Sequence, residues 1–473
     1  MPDTARRTIP IVAPPTTPQP AGLAARIGLA LARYRRPILA LQWVVVIFYL
    51  VLVAVPAFMP LPPEDAHIWD NLRLFAQFAF WGVWWPGVMI ATLTLGRVWC
   101  GVFCPEGAMS EWASRFGRGK PVPRWLKWPG WPFVAFVCTT VYGQMVSVYQ
   151  YPRPALLILG GSTVAAMVVG YLYGRNKRVW CRYLCPVSGV FSLLAKLAPL
   201  HFKVDVEAWG ASQRRHDRQL SVNCAPLVPI RTMRGAGSCH MCGRCSGFRG
   251  AVALAARSPD HEIVTVAGTQ PNPYETALIV LGLMGVAAGA FLWPASPGFV
   301  TVKQNLAGWL FDHGLLDAAT RALPWWLLTD QPARHDVLTL LDGGVLLGFI
   351  ATVAAAMGGG LLGLLALANA ALGRWSWPRL HHLAQALIPL AGCGVFLGLS
   401  ALTVSLLRGE GLALPWVGVA RLTLLLAAGA WSARLAWRVA GLYAGGRRRA
   451  LSAAAAAAAV AFGSAPWVAL FWG

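Results

Sequence analysis

An all-α polytopic membrane protein of about nine transmembrane helices, with a small cytoplasmic ferredoxin-like insert, is the fold class the sequence predicts. Three observations predict it. The 473 residues are 57% hydrophobic and only 12% charged, with 23 Trp, which is more apolar surface than a water-soluble globule of ordinary shape can bury. Apolar runs long enough to cross a hydrocarbon core of about 30 Å recur along the chain. The Lys and Arg of a chain with net charge +22 fall in short loops between those runs rather than along one stripe with interleaved aromatics. That is positive-inside topology, and it excludes a nucleic-acid interface.

Taken in order, residues 1–36 are rich in Pro, Ala and Arg, and Arg6-Arg7 is followed by Ile-Pro-Ile-Val-Ala-Pro-Pro instead of an apolar signal core. The stretch reads as a disordered cytoplasmic tail. Spans are expected at 38–59, 74–95, 131–150 and 154–173, giving a four-helix membrane domain over 37–198. The polar stretch 199–273 is the cytoplasmic insert, and spans at 274–294, 343–372, 381–406, 413–437 and 451–472 form a C-terminal membrane domain over 274–473. Within it, an outer loop at 296–343 holds Trp309, Trp325 and Trp326 with apolar residues at helical spacing, suiting an interfacial helix or a docking surface. The small-residue run Ala453 to Ala459 allows close helix packing and names no chemistry.

Loop charge sets the orientation. Arg97, Arg115, Arg118, Lys120, Arg124 and Lys127 follow the second span, and Arg175, Lys177, Arg178 and Arg182 follow the fourth. Arg374 and Arg379 follow the sixth and Arg447 to Arg449 the eighth, while Glu64, Asp65 and Asp70 lie on the other side. Every even-numbered exit is basic, so the N-terminus and the cysteine motifs are expected inside and the C-terminus outside.

The chemistry is carried by cysteine. Arg97-Val98-Trp99-Cys100-Gly101-Val102-Phe103-Cys104-Pro105 and Arg178-Val179-Trp180-Cys181-Arg182-Tyr183-Leu184-Cys185-Pro186 repeat one Cys-x3-Cys-Pro box, each behind a hydrophobic hairpin. Two Cys four apart share one side of a helical turn, so a pseudo-two-fold arrangement brings Cys100, Cys104, Cys181 and Cys185 together. Four thiolates suit a cluster; they also suit Cu(I), a cycling dithiol, or a merely structural turn. Further on, Cys239-His240-Met241-Cys242-Gly243-Arg244-Cys245 has the tight Cys-x2-Cys-x2-Cys spacing that wraps a cubane, with Cys224 the nearby candidate for the fourth ligand. Structural zinc prefers two separated knuckles, so Cys224, Cys239, Cys242 and Cys245 read as ligands of a 4Fe-4S cluster. A second soluble cluster would need Cys where Arg249 stands. The ligands sit in basic, reducing-side loops, which argues against disulfides, and the remaining Cys138 and Cys393 lie singly in apolar segments as packing residues. His381 and His382 find no partner at membrane depth for a haem, and Arg421 within the eighth span either lines a quinone cavity or snorkels.

On the two boxes and the cysteine cluster after them, the chain resembles the NapH/NosR/RdxA group of membrane-bound 4Fe-4S electron-transfer proteins over about residues 37 to 272. The resemblance implies a multi-pass bacterial inner-membrane electron carrier, or an oxidoreductase subunit, working between a quinone pool or cytoplasmic donor and a respiratory or maturation partner protein. Family members typically carry two complete soluble cluster motifs, and Arg249 departs from that pattern, so one cubane carries over and a second, at the boxes, is the further expectation. No outer flavin-binding domain of the NosR kind is present, and the five C-terminal spans match nothing in the group. The competing class is a copper-handling or copper-reducing assembly factor for a respiratory oxidase.

Overall fold

The computed structural model describes residues 22–63, 65–214 and 222–473. Arg6 and Arg7 of the tail argument and Glu64 of the orientation argument lie outside the described residues. Among the described residues, eight helices are long and apolar enough to cross a membrane: Arg35–Phe58, Leu72–Leu95, Pro152–Tyr173, Pro273–Ala295, Leu340–Ala371, Ile388–Gly409, Val417–Ala440 and Gly446–Trp472. The sheets among the described residues are two two-stranded antiparallel ladders. The chain is thus an all-α polytopic membrane protein.

The ninth expected span, 131–150, is a shorter helix of 15 residues, Trp131–Met145. At 1.5 Å per residue it is about 22 Å long. Turns from Val146 onward, with Ser147 at φ 49°, end it early. It nevertheless runs beside Pro273–Ala295 from end to end: Trp128 Nε1 donates to the Tyr274 hydroxyl (3.1 Å) at one end, and Trp293 Nε1 donates to Gln144 Oε1 (3.0 Å) at the other. The chain therefore returns to one face before each cysteine box.

Pro273–Ala295 is the central post. It is 72% buried in protein, where the other seven spans are 17–39% buried and face outward. Its sequence has no polar side, and its glycines let neighbouring backbones approach: a Cβ on Gly285 would lie 2.9 Å from Ala354 Cα. On the face away from the cysteines, the loops are tied by polar contacts. Tyr151 donates to Asp336 (2.6 Å), Arg334 to the Pro62 carbonyl (2.8 Å), and the Ile68 N–H to Glu410 (2.8 Å).

The insert is closed by strands β1 (Leu200–Val204) and β2 (Val252–Ala256), antiparallel with Phe202 opposite Leu254. Pairing the two ends brings the insert out of the membrane and back at one point. Arg257 locks that point: its guanidinium pairs with Glu262 (2.5 Å) and donates to the Ala195 and Ala198 carbonyls at the end of the helix Ser188–Ala195. Phe202, Trp209, Met241 and Leu254 form the small core.

One expectation is corrected here. The disordered tail does not extend to residue 36, because Leu23–Arg33 is a helix whose apolar face packs on the insert. Gly28 abuts Leu254, Leu29 abuts Gly247, and Leu31 lies so close to Gly243 that no Cβ would fit there. Docking supplies the stability that an 11-residue helix lacks alone. A second boundary also shifts: the run beginning at 381 breaks at Ala386 and Leu387, so His381 and His382 sit on the short helix Trp377–Gln385 rather than in a span.

Candidate functional site

The two boxes are one local structure built twice. In each, the second Cys closes a widened turn by donating its N–H to the carbonyl of the Trp five residues earlier: Cys104 to Trp99 (2.8 Å) and Cys185 to Trp180 (3.1 Å). Pro105 then starts the helix Pro105–Arg115 at the position where a missing N–H costs nothing. Cys104 is its N-cap, and the sulfur accepts the Gly107 N–H at 3.3 Å.

The arginines that lead into each box reach across to the other. Arg178 Nη1 donates to the Cys100 carbonyl (2.5 Å). Arg97 Nη2 donates to Ser188 (2.9 Å), whose hydroxyl donates to the Cys181 carbonyl (3.0 Å). Each half thus braces the backbone of the other's first cysteine, and Cys100, Cys104, Cys181 and Cys185 lie near enough to act electrostatically on one another. Burial first, then Cys181 and Cys100, push the Cys104 thiol well above its ordinary value. Burial likewise pushes Cys181 up to about 12, against the pull of Arg178, and raises Cys185, where Cys181, Cys104 and Cys100 add to the effect. Buried thiols so placed ionise together only when a metal core replaces their protons.

Cys224, Cys239, Cys242 and Cys245 ring a second cavity. Left-handed residues turn the loop around it: Met241 at φ 54° and Gly243 at φ 72°. The Cys239 sulfur accepts the Met241 N–H at 3.4 Å. Burial raises the Cys239 and Cys224 thiols and pushes Cys245 up to about 12, with neighbouring sulfurs adding to each. Among the described residues no three His, Cys, Asp or Glu converge on the point a single ion would occupy. The sulfurs surround a cavity instead. Arg249, where a further ligand would stand, packs its guanidinium over the Trp209 and Phe248 rings, 5.4 Å from each centroid.

The two groups abut. At Gly101, inside the first box, a Cβ would collide with the His240 carbonyl oxygen and lie 2.8 Å from the Cys242 nitrogen, so box backbone touches cluster-loop backbone. The equivalent position of the second box is Arg182, which lines a cavity together with Gly237, Ser238 and His240 of the insert. Around the contact, Arg97 Nη1 donates to the Gly237 carbonyl (2.8 Å), and Lys177 and the Arg178 N–H bind the Cys224 and Ala225 carbonyls (3.1 and 2.8 Å). Glu111 joins the halves: Arg178 Nε (2.8 Å) and a two-pronged Arg244 (2.7 and 2.9 Å) both bind it. Burial alone would raise the Glu111 carboxyl, but the two guanidiniums overcome it and hold it at about 2.

This donor set fits an anionic cubane, because four thiolates outweigh the charge of the iron core. Arg178 Nη2 is buried without a partner and acts electrostatically on both Cys181 and Cys242, so a positive donor stands ready between the groups.

Both boxes match a 4Fe-4S binding domain. The matched stretches are residues 77–123 and 156–205, which hold Cys100, Cys104, Cys181 and Cys185 and stop before the cysteines of the insert. The chain is also 23% identical over 239 residues to YccM of Escherichia coli (strain K12), named as a proposed electron transport protein, covering 43% of this chain and 64% of that protein. The chain therefore spans less than two thirds of the length of that relative. No solved structure matches. These likenesses support an iron-sulfur electron-transport role.

The other expected residues are occupied elsewhere. Both ring nitrogens of His382 are engaged, with the Ile263 carbonyl and the Tyr443 hydroxyl (2.7 Å each), and Arg421 lies 4.1 Å over the Phe471 ring. Sequence reading missed Glu111, Arg178 as a cross-brace, and Gly101. The one visible signal was the Gly101/Arg182 mismatch in otherwise parallel boxes.

Proposed function

We propose that this protein is a membrane-bound electron-transfer protein in which Cys100, Cys104, Cys181 and Cys185 hold one 4Fe-4S cluster and Cys224, Cys239, Cys242 and Cys245 hold another. The observation that carries the reading is the backbone contact between Gly101 and the Cys242 loop, which seats the two sulfur sets against each other. A cubane, when bound, supplies a one-electron couple with small structural change. The chain's residues do the rest. Sulfur-directed N–H groups of Gly107 and Met241 and the buried Arg178 and Arg244 favour the more negative, reduced state. Glu111 fixes both arginines.

The basic loops flanking the boxes support a cytoplasmic position for this face of a bacterial inner membrane, with a cytoplasmic or quinone-pool donor and a respiratory or maturation partner protein. Iron and sulfide counts and EPR of anaerobically purified, dithionite-reduced protein test the reading. Cys181→Ala and Cys242→Ala are each expected to lose about half of the iron, since each removes one ligand of one cubane. Copper lost from Cys181→Ala while iron stays would replace the box cluster with the copper-handling reading.

A further inference from the structure

Beside the box cysteines lies a cavity of about 230 Å³ with Cys181 in its wall, on the side of the second box that carries Arg182. It is distinct from the cavity that Cys224, Cys239, Cys242 and Cys245 line, since only one cysteine borders it. Three cationic side chains face it, those of Arg97, Lys127 and Arg182, against the single carboxylate of Glu275. That carboxylate is already engaged by Lys196 (2.5 Å) and Gln385 (2.9 Å), so it does not neutralise the cavity. Arg97 is only 4% exposed, and its Nε–H finds no partner although both Nη atoms do. That Nε has no open surface of its own, so Arg97 serves the cavity through its net positive charge. Tyr274 adds a donor: its hydroxyl accepts from Trp128, which leaves its own hydrogen to give.

We propose that this cavity binds an oxyanion, of the phosphate class, held by Arg97, Arg182 and Lys127 next to Cys181. Arginine forks and lysine ammonium groups are the side chains that match phosphate oxygens. Phe133, Pro132 and Leu278 form its apolar wall at the membrane-facing end, so a phospholipid headgroup and a free phosphate are the two sources of the same chemistry. Resting on the proposed function, one consequence follows: negative charge bound against the box group makes its reduction harder, so occupancy lowers its potential.

The test uses the full chain, delipidated in a neutral detergent. Inorganic phosphate is titrated by calorimetry, and retention of phosphatidylglycerol against phosphatidylcholine is read by native mass spectrometry. The expected result is saturable phosphate binding, weakened about ten-fold or more by Arg182→Gln and by Lys127→Gln, as loss of one charge-assisted bond implies, and unchanged by Arg118→Gln. Selective retention of phosphatidylglycerol, displaced by phosphate, identifies a headgroup; phosphate binding without it identifies a free anion. Equal binding in the wild type and the Lys127→Gln/Arg182→Gln double variant, or none in either, overturns the site. Iron content is measured in every sample: phosphate binding to iron-free protein would sink the proposed function and leave this site standing.

Discussion

Gly101→Ala is the sharpest perturbation available. Gly101 does not occupy the left-handed region, so alanine meets no backbone strain and acts only through its added carbon. That carbon would sit 2.8 Å from the Cys242 nitrogen and 3.0 Å from its Cα, and closer still to the His240 carbonyl oxygen, all backbone atoms that cannot swing aside. Restoring an ordinary 3.4 Å contact to the Cys242 nitrogen requires a shift of at least 0.6 Å, and the His240 oxygen demands more. Overpacking of this kind costs about 1–3 kcal/mol, or about 5- to 150-fold in the docking equilibrium. EPR of fully reduced protein reads the outcome as weakened magnetic interaction between two paramagnetic centres, with iron content unchanged, while limited proteolysis reads looser docking of the insert. Gly348→Ala, where nothing lies within 4 Å, serves as the neutral comparison. If Gly101→Ala matched it in both spectrum and protease resistance, direct docking of the two groups would be refuted.

Glu111→Gln strands the buried Arg178 guanidinium and unpairs the part-buried Arg244, and should cost about 3–5 kcal/mol, seen as a lowered midpoint of unfolding. In the wild type the Glu111 carboxyl is depressed to about 2, so its contribution of about 3 kcal/mol is present above the ordinary carboxylate range and is lost as pH falls toward 2; an acid-stability profile identical in Glu111→Gln would contradict this. Asp260→Asn removes the carboxylate that receives Trp431 (2.8 Å), Arg434 and Arg438 (2.6 Å each), so hydrogen exchange at 257–270 should speed up while iron content holds. Leu31→Asp places a charge against Gly243 and should expose the cysteine loop to alkylation after iron removal; unchanged thiol accessibility would mean the N-terminal helix does not cover the loop.

Much of the site was legible because ligand spacing is a local property. The x2 and x3 intervals alone divide the cysteines into two sets of four, and in the structure Cys224, Cys239, Cys242 and Cys245 line one cavity while Cys100, Cys104, Cys181 and Cys185 lie within electrostatic reach of one another. What escaped was set by contacts distant in sequence. Arg178 looks like a topology-setting loop charge, and only the fold shows it spanning from the Cys100 carbonyl to Glu111, 78 and 67 residues away. Leu23–Arg33 was lost in a Pro-rich tail because a short amphipathic segment declares itself only when a partner surface is present. Trp131–Met145 was read as a longer span because hydropathy alone does not register the turn at Val146.

The reciprocal arginine braces also impose a timetable on biogenesis. Until residue 178 has left the ribosome and its hairpin has entered the bilayer, the Cys100 carbonyl has no clasp, and Cys100 and Cys104 stand without Cys181 and Cys185. For the cluster proposed at the boxes, iron delivery would then wait for the later half of the chain, and nascent proteins arrested before that point should emerge without metal, however long they are held beside the loading machinery.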